Sequence, residues 1–213
     1  MWNKLSASVF FVVALVYVHA AVAEIQTQQV KEDTVKVSEW NHFAQQLLEL
    51  SKKTVAARTV KKRETEGSYG GEVAGRYGYR RVDYHDDKTG KLLSRVQWDR
   101  DKPDQLQEIE VYIYGPQDRV LRDYLASYLP WSHNAPIQTA INLHQYNNGL
   151  HAFRQFDASG ELLFEKCTGE YKGHSVDLAL EDYEIDETVT AATDYHACFK
   201  GLRKTAGEYL LPH

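Results

Sequence analysis

The chain of 213 residues carries 25 Lys and Arg against 30 Asp and Glu, a formal net charge of −5 at pH 7. That length suits one domain or two small ones, and the mild acidity favours solubility while excluding a general nucleic-acid surface, which needs a basic stripe.

Lys4 is the only charged residue of the opening segment, Leu5 to Val18 is almost entirely apolar, and Ala21-Val22-Ala23 puts small residues at −3 and −1 before Glu24. This pattern predicts a secretory signal peptide over residues 1–23, cleaved after Ala23. The apolar run is shorter than the ~20 residues of a spanning helix, and no Cys follows it to take a lipid. The expectation is a periplasmic or secreted protein with no transmembrane segment after cleavage. Loss of Lys4 takes the net charge one unit further negative. Cys167 and Cys198 are the only cysteines, and in an oxidising compartment such a pair predicts a disulfide.

Residues 24–37 are rich in Gln, Lys, Glu and Thr and read as a flexible leader to a single domain over 38–213. Ser38 can cap a helix starting at Glu39. Trp40, Phe43, Leu47, Leu50 and Thr54 recur at three- and four-residue spacing, so an amphipathic helix is predicted to about Arg58. Val60 to Glu66 is an extended run, basic then acidic, ending in the glycines and tyrosines of 67–79. These glycines fit neither the Gly-x-x-x-x-Gly-Lys-Ser/Thr phosphate loop nor Gly-x-Gly-x-x-Gly; they predict a hairpin with bulges.

From Tyr77 a meander is predicted. Asp87-Lys-Thr-Gly90-Lys-Leu92-Leu93 matches Asp157-Ala-Ser-Gly160-Glu-Leu162-Leu163, and Gly115-Pro-Gln-Asp118-Arg-Val120-Leu121 is a weaker copy. Asp opens such turns and Gly accepts the left-handed backbone at their end. The hairpin resembles turns in exported repeat and sheet families. Ile109, Val111 and Ile113, and again Val176, Leu178 and Leu180, alternate with polar residues at a similar distance after each hairpin. The prediction is an α+β fold: an antiparallel sheet of two similar hairpin-based units, about 72–130 and 137–213, with the N-terminal amphipathic helix and a C-terminal helix over Thr190–Leu210. Residues 119–129 read as strand through Asp123 and helical beyond it. Pro130 to Pro136 is the connector.

Among the nine His residues, His144 and His151 flank the Asn147-Asn148-Gly149 turn and are expected across a hairpin, with His174 on a nearby strand. No pair has the spacing of a helical metal site, and the loop with Asp99, Asp101, Asp104 and Glu108 fails as an EF-hand, with Asp104 where Gly is needed at the sixth place and Glu110 at the twelfth. Ser132-His133 lacks a nucleophile elbow. No cofactor or metal is therefore expected. The aromatic residues are more informative. Tyr77, Tyr79, Trp98, Tyr112, Tyr114 and Trp131, with His133, form the expected binding surface, since Tyr and Trp suit half-wet contacts. The function expected is an exported non-catalytic binding or accessory protein that recognises a protein, glycan or lipid through this aromatic sheet surface. The alternative is a periplasmic hydrolase whose His and carboxylates, around His133, His144 and Asp157, meet only in three dimensions.

Overall fold

The computed structural model describes residues 34–69, 78–128 and 137–213; the predicted signal peptide, Tyr77, Trp131 and His133 lie outside them. The first helix, α1 (Thr34–Ala56), buries Val37, Phe43, Ala44, Leu47 and Ser51, a stripe at three- and four-residue spacing that seeks an apolar partner. It starts one turn before the predicted Ser38 cap, inside the stretch read as leader. The extra turn brings Val37, only 6% exposed, onto the buried stripe.

Among the described residues the partner is an open nine-stranded antiparallel sheet in which every strand pairs with the next in sequence. The strands are β1 (Val60–Ser68), β2 (Gly78–Asp86), β3 (Leu92–Asp99), β4 (Leu106–Tyr114), β5 (Val120–Ser127), β6 (Gln138–Asn147), β7 (Leu150–Phe156), β8 (Leu162–Tyr171) and β9 (His174–Glu181). Two short helices, α2 (Glu187–Ala191) and α3 (Thr193–Phe199), follow. The run after α1 is thus a strand of the sheet, with β1 paired along its length to β2. Residues 120–127 are strand throughout, which corrects the helical reading beyond Asp123. Tyr124 and Ala126 both point into the core and are fully buried, a period of two that the apparent helical stripe concealed. The predicted long C-terminal helix is also corrected. The chain breaks at Ala192, which is extended at φ −68, ψ 141, and again after Phe199. Gly201 lies so close to the Gln145 side chain that a Cβ would collide with it.

The tight turns follow their chemistry. Asn148 and Gly149 sit at φ 47 and 83, the paired left-handed backbone that a two-residue hairpin requires. In the β2–β3 turn the accepting side chain is Asp86, one residue earlier than the sequence alignment placed it. Its Oδ1 accepts from the backbone of Lys88 and Thr89 at 3.0 and 2.8 Å, and Asp87 instead pairs with Lys61 at 2.8 Å. Asp157 does the same work between β7 and β8, accepting from the Ser159 and Glu161 backbone at 2.9 Å each, and it also receives the Trp40 indole at 3.2 Å.

The Asp86 turn leads to a first prediction. The Thr89 N–H, together with Arg58, pulls the Asp86 carboxyl down from 3.8 to about 2. The folded state thus holds this proton less tightly than the unfolded chain, so the stabilisation is complete above the ordinary carboxylate value and fades as pH falls towards 2. Thermal melts at stepped pH should show Asp86→Asn less stable than wild type at neutral pH, with the difference closing in that acid window. A constant difference across the range would refute the assignment.

Two cores lie on one face of the sheet. Phe43, Ala44 and Leu47 of α1 pack on Val96, Ile109, Val111, Tyr124, Ile141 and Phe156. Tyr195, Cys198 and Phe199 of α3 pack on Leu150, Ala152, Cys167 and Val176. Leu150, Ala152 and Phe156 share a parity on β7, so both helices cover the same side. Cys167 and Cys198 are disulfide-bonded, with Cα atoms 5.9 Å apart, tying β8 to α3. Among the described residues no helix is long and apolar enough to cross a membrane.

Candidate functional site

With α1 and α3 on one face, the other face of the central strands carries no helix among the described residues. Its side chains are set by parity. Tyr112 of β4 opposes Asp123 of β5, which opposes Asn142 of β6, which opposes Gln155 of β7, which opposes Phe164 of β8. Five successive strands thus place one row of polar and aromatic groups across the uncovered face.

Hydrogen bonds run along this row. Gln155 Nε2 donates to Asn142 Oδ1 at 3.0 Å, and Asn142 Nδ2 donates to Asp123 Oδ2 at 2.7 Å. The other Asp123 oxygen is 2.6 Å from His144 Nε2, and His144 Nδ1 is 3.0 Å from His151 Nε2. An ionised carboxylate only accepts, so His144 Nε2 donates to Asp123. In the neutral His144 ring Nδ1 then accepts, and His151 Nε2 is its donor. Burial first, and then the neighbouring His144, hold the His151 imidazole below its ordinary 6.5, opposed by Asp123.

The rings beside this chain form a second, continuous row. Tyr146 stacks on His151 at 4.4 Å with planes 2° apart, and His151 on His144 at 5.2 Å. Phe153 follows at 5.4 Å from His144, and Phe164 at 6.1 Å from Phe153. Arg119 covers the Tyr146 end at 5.0 Å. At the Phe164 end an open groove is lined by Phe153, Gln155, Leu162 and Glu181. Towards β2 lies an ionic group: Arg95 bonds Asp83 at 2.9 Å and reaches Glu110 at 3.4 Å, and Tyr112 donates to Glu110. Burial and the adjacent Glu110 raise the Glu108 carboxyl above its usual range.

The residues singled out from sequence are distributed unevenly. Tyr112 stands at the start of the row. Tyr114 turns to the Leu92 carbonyl at 3.0 Å, under Lys91. Tyr79 packs on Tyr69 at 5.2 Å, beside Gln97 and away from the ring row. Trp98 is on the opposite face, against the α1 core and beneath Arg80 at 5.1 Å. His174 also leaves the His144 group, bonding Asp194 of α3 at 3.0 Å. Asp157 is held in its turn. Asp99 caps the backbone of Asp101 and Lys102 at 2.8 and 2.9 Å. Among the described residues no group of three His, Cys, Asp or Glu side chains is placed to hold a metal ion.

Sequence reading missed Asp123, Asn142, Phe153, Gln155 and Phe164. The usable signal was parity: once the Asn148-Gly149 turn fixes Tyr146 opposite His151 and His144 opposite Phe153, every second residue on this side from Asn142 to Tyr146 and from His151 to Gln155 is polar or aromatic. No family model, curated protein or solved structure matches the chain.

Proposed function

We propose that this is an exported, non-catalytic binding protein whose uncovered sheet face recognises a hydroxyl-rich glycan. The observation that carries the reading is the ring row from Tyr146 to Phe164 lying beside the Gln155–Asn142–Asp123 ladder. Sugar rings offer a flat C–H face to aromatic rings and a rim of hydroxyls to planar amides and carboxylates, and this face supplies both at neighbouring positions. Lipid recognition calls for a more continuous apolar surface than a ladder of Asp, Asn, Gln and His provides. The signal-like segment 1–23 and the bonded cysteine pair support a periplasmic or extracellular site of action. The bulged turns after β2 and β7, each closed by an Asp, support descent of the sheet from two related units, about 72–130 and 137–213.

Calorimetric titration of the chain from Glu24 with cellotetraose, maltotetraose and chitotetraose tests the reading. At least one should bind, and Phe153→Ala and Phe164→Ala should each weaken it about three- to tenfold, the worth of one ring contact. Binding to lipid vesicles or to a protein, with no oligosaccharide bound, would overturn it.

The hydrolase reading keeps one specific support, the 2.6 Å Asp123–His144 contact extended to His151, which is the orientation a base relay uses. It is no longer centred on Asp157. Turnover of an oligosaccharide in the titration cell, lost in His151→Phe, would favour it over simple binding.

A further inference from the structure

We propose that β9 is a docking edge for a second copy of this chain, the two β9 strands pairing antiparallel about a two-fold axis at Leu178. The pairing is independent of the glycan reading and holds whatever the open face binds.

An open sheet has two edge strands, and each presents backbone groups that must be protected or paired. Among the described residues these edges are β1 and β9. The first is protected, because Lys61, Lys62 and Arg63 stand in succession along it and such charges repel an incoming strand. β9 has none of these devices. It runs eight residues, His174-Ser-Val-Asp-Leu-Ala-Leu-Glu181, without Lys, Arg or Pro, and no bulge interrupts its pairing with β8. Among the described residues, no backbone hydrogen bond outside the ladder with β8 reaches residues 174–180.

The side chains of β9 fit a second β9. A two-fold axis between antiparallel edges sets residues of the same face opposite one another. Centred on Leu178, the pairing places Leu178 against itself and Val176 against Leu180 on the helix side. On the open side it places Asp177 against Ala179 and Ser175 against Glu181. Val176 is buried, and Leu178 and Leu180 are half-buried beside the α3 core, so the apolar strip of one copy continues into that of the other. Moving the centre by one residue opposes carboxylates: Asp177 meets itself when the centre is Asp177, and Glu181 when it is Ala179. Only the Leu178 centre pairs the strand along its length with no like charges opposed.

The ends of the strand agree with this register. Asp182 and Glu184 follow β9, and Lys172 precedes it, so antiparallel pairing brings the acidic end of each copy to the basic turn of the other. Tyr183, 81% exposed at the acidic end, is carried towards Lys172 and Gly173, where the space around Gly173 is open. A Tyr ring beside an ammonium group is a favourable contact. The axis stands perpendicular to the sheet, so both open faces lie on one side, and the groove beside Phe164 and Glu181 abuts Ser175 of the second copy. The contact is isologous and leaves the charged β1 strands as the outer edges, so assembly stops at the dimer.

Sedimentation velocity of the chain from Glu24, from about 1 μM to about 1 mM, should show monomer giving way to dimer. Amide exchange over residues 175–180 should slow in the concentrated sample relative to the dilute one, with residues 60–68 unchanged. Ala179→Glu should weaken the dimer about tenfold, since it sets two new carboxylates against the two Asp177 side chains. Ala179 is exposed and its partner on β8 is Lys166, so this variant keeps its fold. Adding Asp177→Lys to it should restore the dimer to within about twofold of wild type. A chain that stays monomeric throughout the range would overturn the proposal. So would a dimer that Ala179→Glu leaves unchanged, or one whose slowed amides lie outside β9.

Discussion

Replacing Arg154 with methionine should lower the free energy of unfolding by about 3–5 kcal/mol, the cost of stripping one partner from a buried ion pair. Arg154 and Glu165 are register partners on β7 and β8, 4% and 1% exposed, on the face covered by α3. Arg154 Nε donates to Glu165, Nη1 donates to the carbonyls of Leu202 and Arg203 at 2.8 and 3.0 Å, and Nη2 reaches the Tyr195 hydroxyl at 3.4 Å. The guanidinium also lies 5.4 Å from the Phe199 ring centroid. Its loss leaves a carboxylate in the core and frees two backbone carbonyls where the chain leaves α3. The opposite change, Glu165→Gln, should cost less, because the guanidinium keeps its carbonyl partners. Arg154→Met with Glu165→Leu should regain part of the loss, since an apolar pair of similar volume removes both desolvation costs. Urea unfolding at neutral pH measures all three. A change of under about 1 kcal/mol in Arg154→Met would mean that the pair is solvated.

The same residue shows why some of the molecule could be read from sequence and some could not. Alternating apolar residues, Asp–Gly turns and the α1 stripe are local signals, and they led to an antiparallel sheet with helices. The position of α1 relative to Ser38 depended on whether Val37 is buried once the chain has folded, which is a tertiary fact. Arg154 reads as a surface charge in the run His151–Phe156; only register against Glu165 and the arrival of the 202–203 backbone make it a core residue. The site followed the same pattern. His144 and His151 could be placed across a hairpin because the turn between them is local. Asp123 is 21 residues from His144 and lay in a segment whose apolar residues fit a helical period as well as a strand. Once β5 was misread beyond Asp123, its face could not be assigned. Trp98 was attractive because Trp is common at contacts, but it shares its parity on β3 with the buried Ser94 and Val96, which places it on the helix side. Composition does not carry that information.

The disulfide is expected to make the second large contribution to stability. It joins residues 31 apart in sequence, and closing a loop of that size in the unfolded chain is worth about 3–4 kcal/mol in the entropy model. Cys167→Ala with Cys198→Ala should therefore unfold at lower urea by that amount, and thiol titration of the unreduced wild type should find no free thiol. The effect should be confined to one side of the sheet. Cys167 and Cys198 are fully buried beside Tyr195 and Phe199, on the face that α3 covers, whereas Phe164 and His151 point the other way. Removing the bond loosens α3 but leaves the registers of β5, β6 and β7 to their own hydrogen bonds. Below the unfolding transition, oligosaccharide affinity in the alanine variant should stay within about twofold of wild type, a change well under 1 kcal/mol. Hydrogen exchange should speed up over residues 187–210 before it does over the central strands, because local opening is cheapest where a tether has been cut. If affinity fell with the disulfide while the fold persisted, the two faces of the sheet would be energetically coupled, and the C-terminal segment would belong to the binding machinery rather than to the scaffold beneath it.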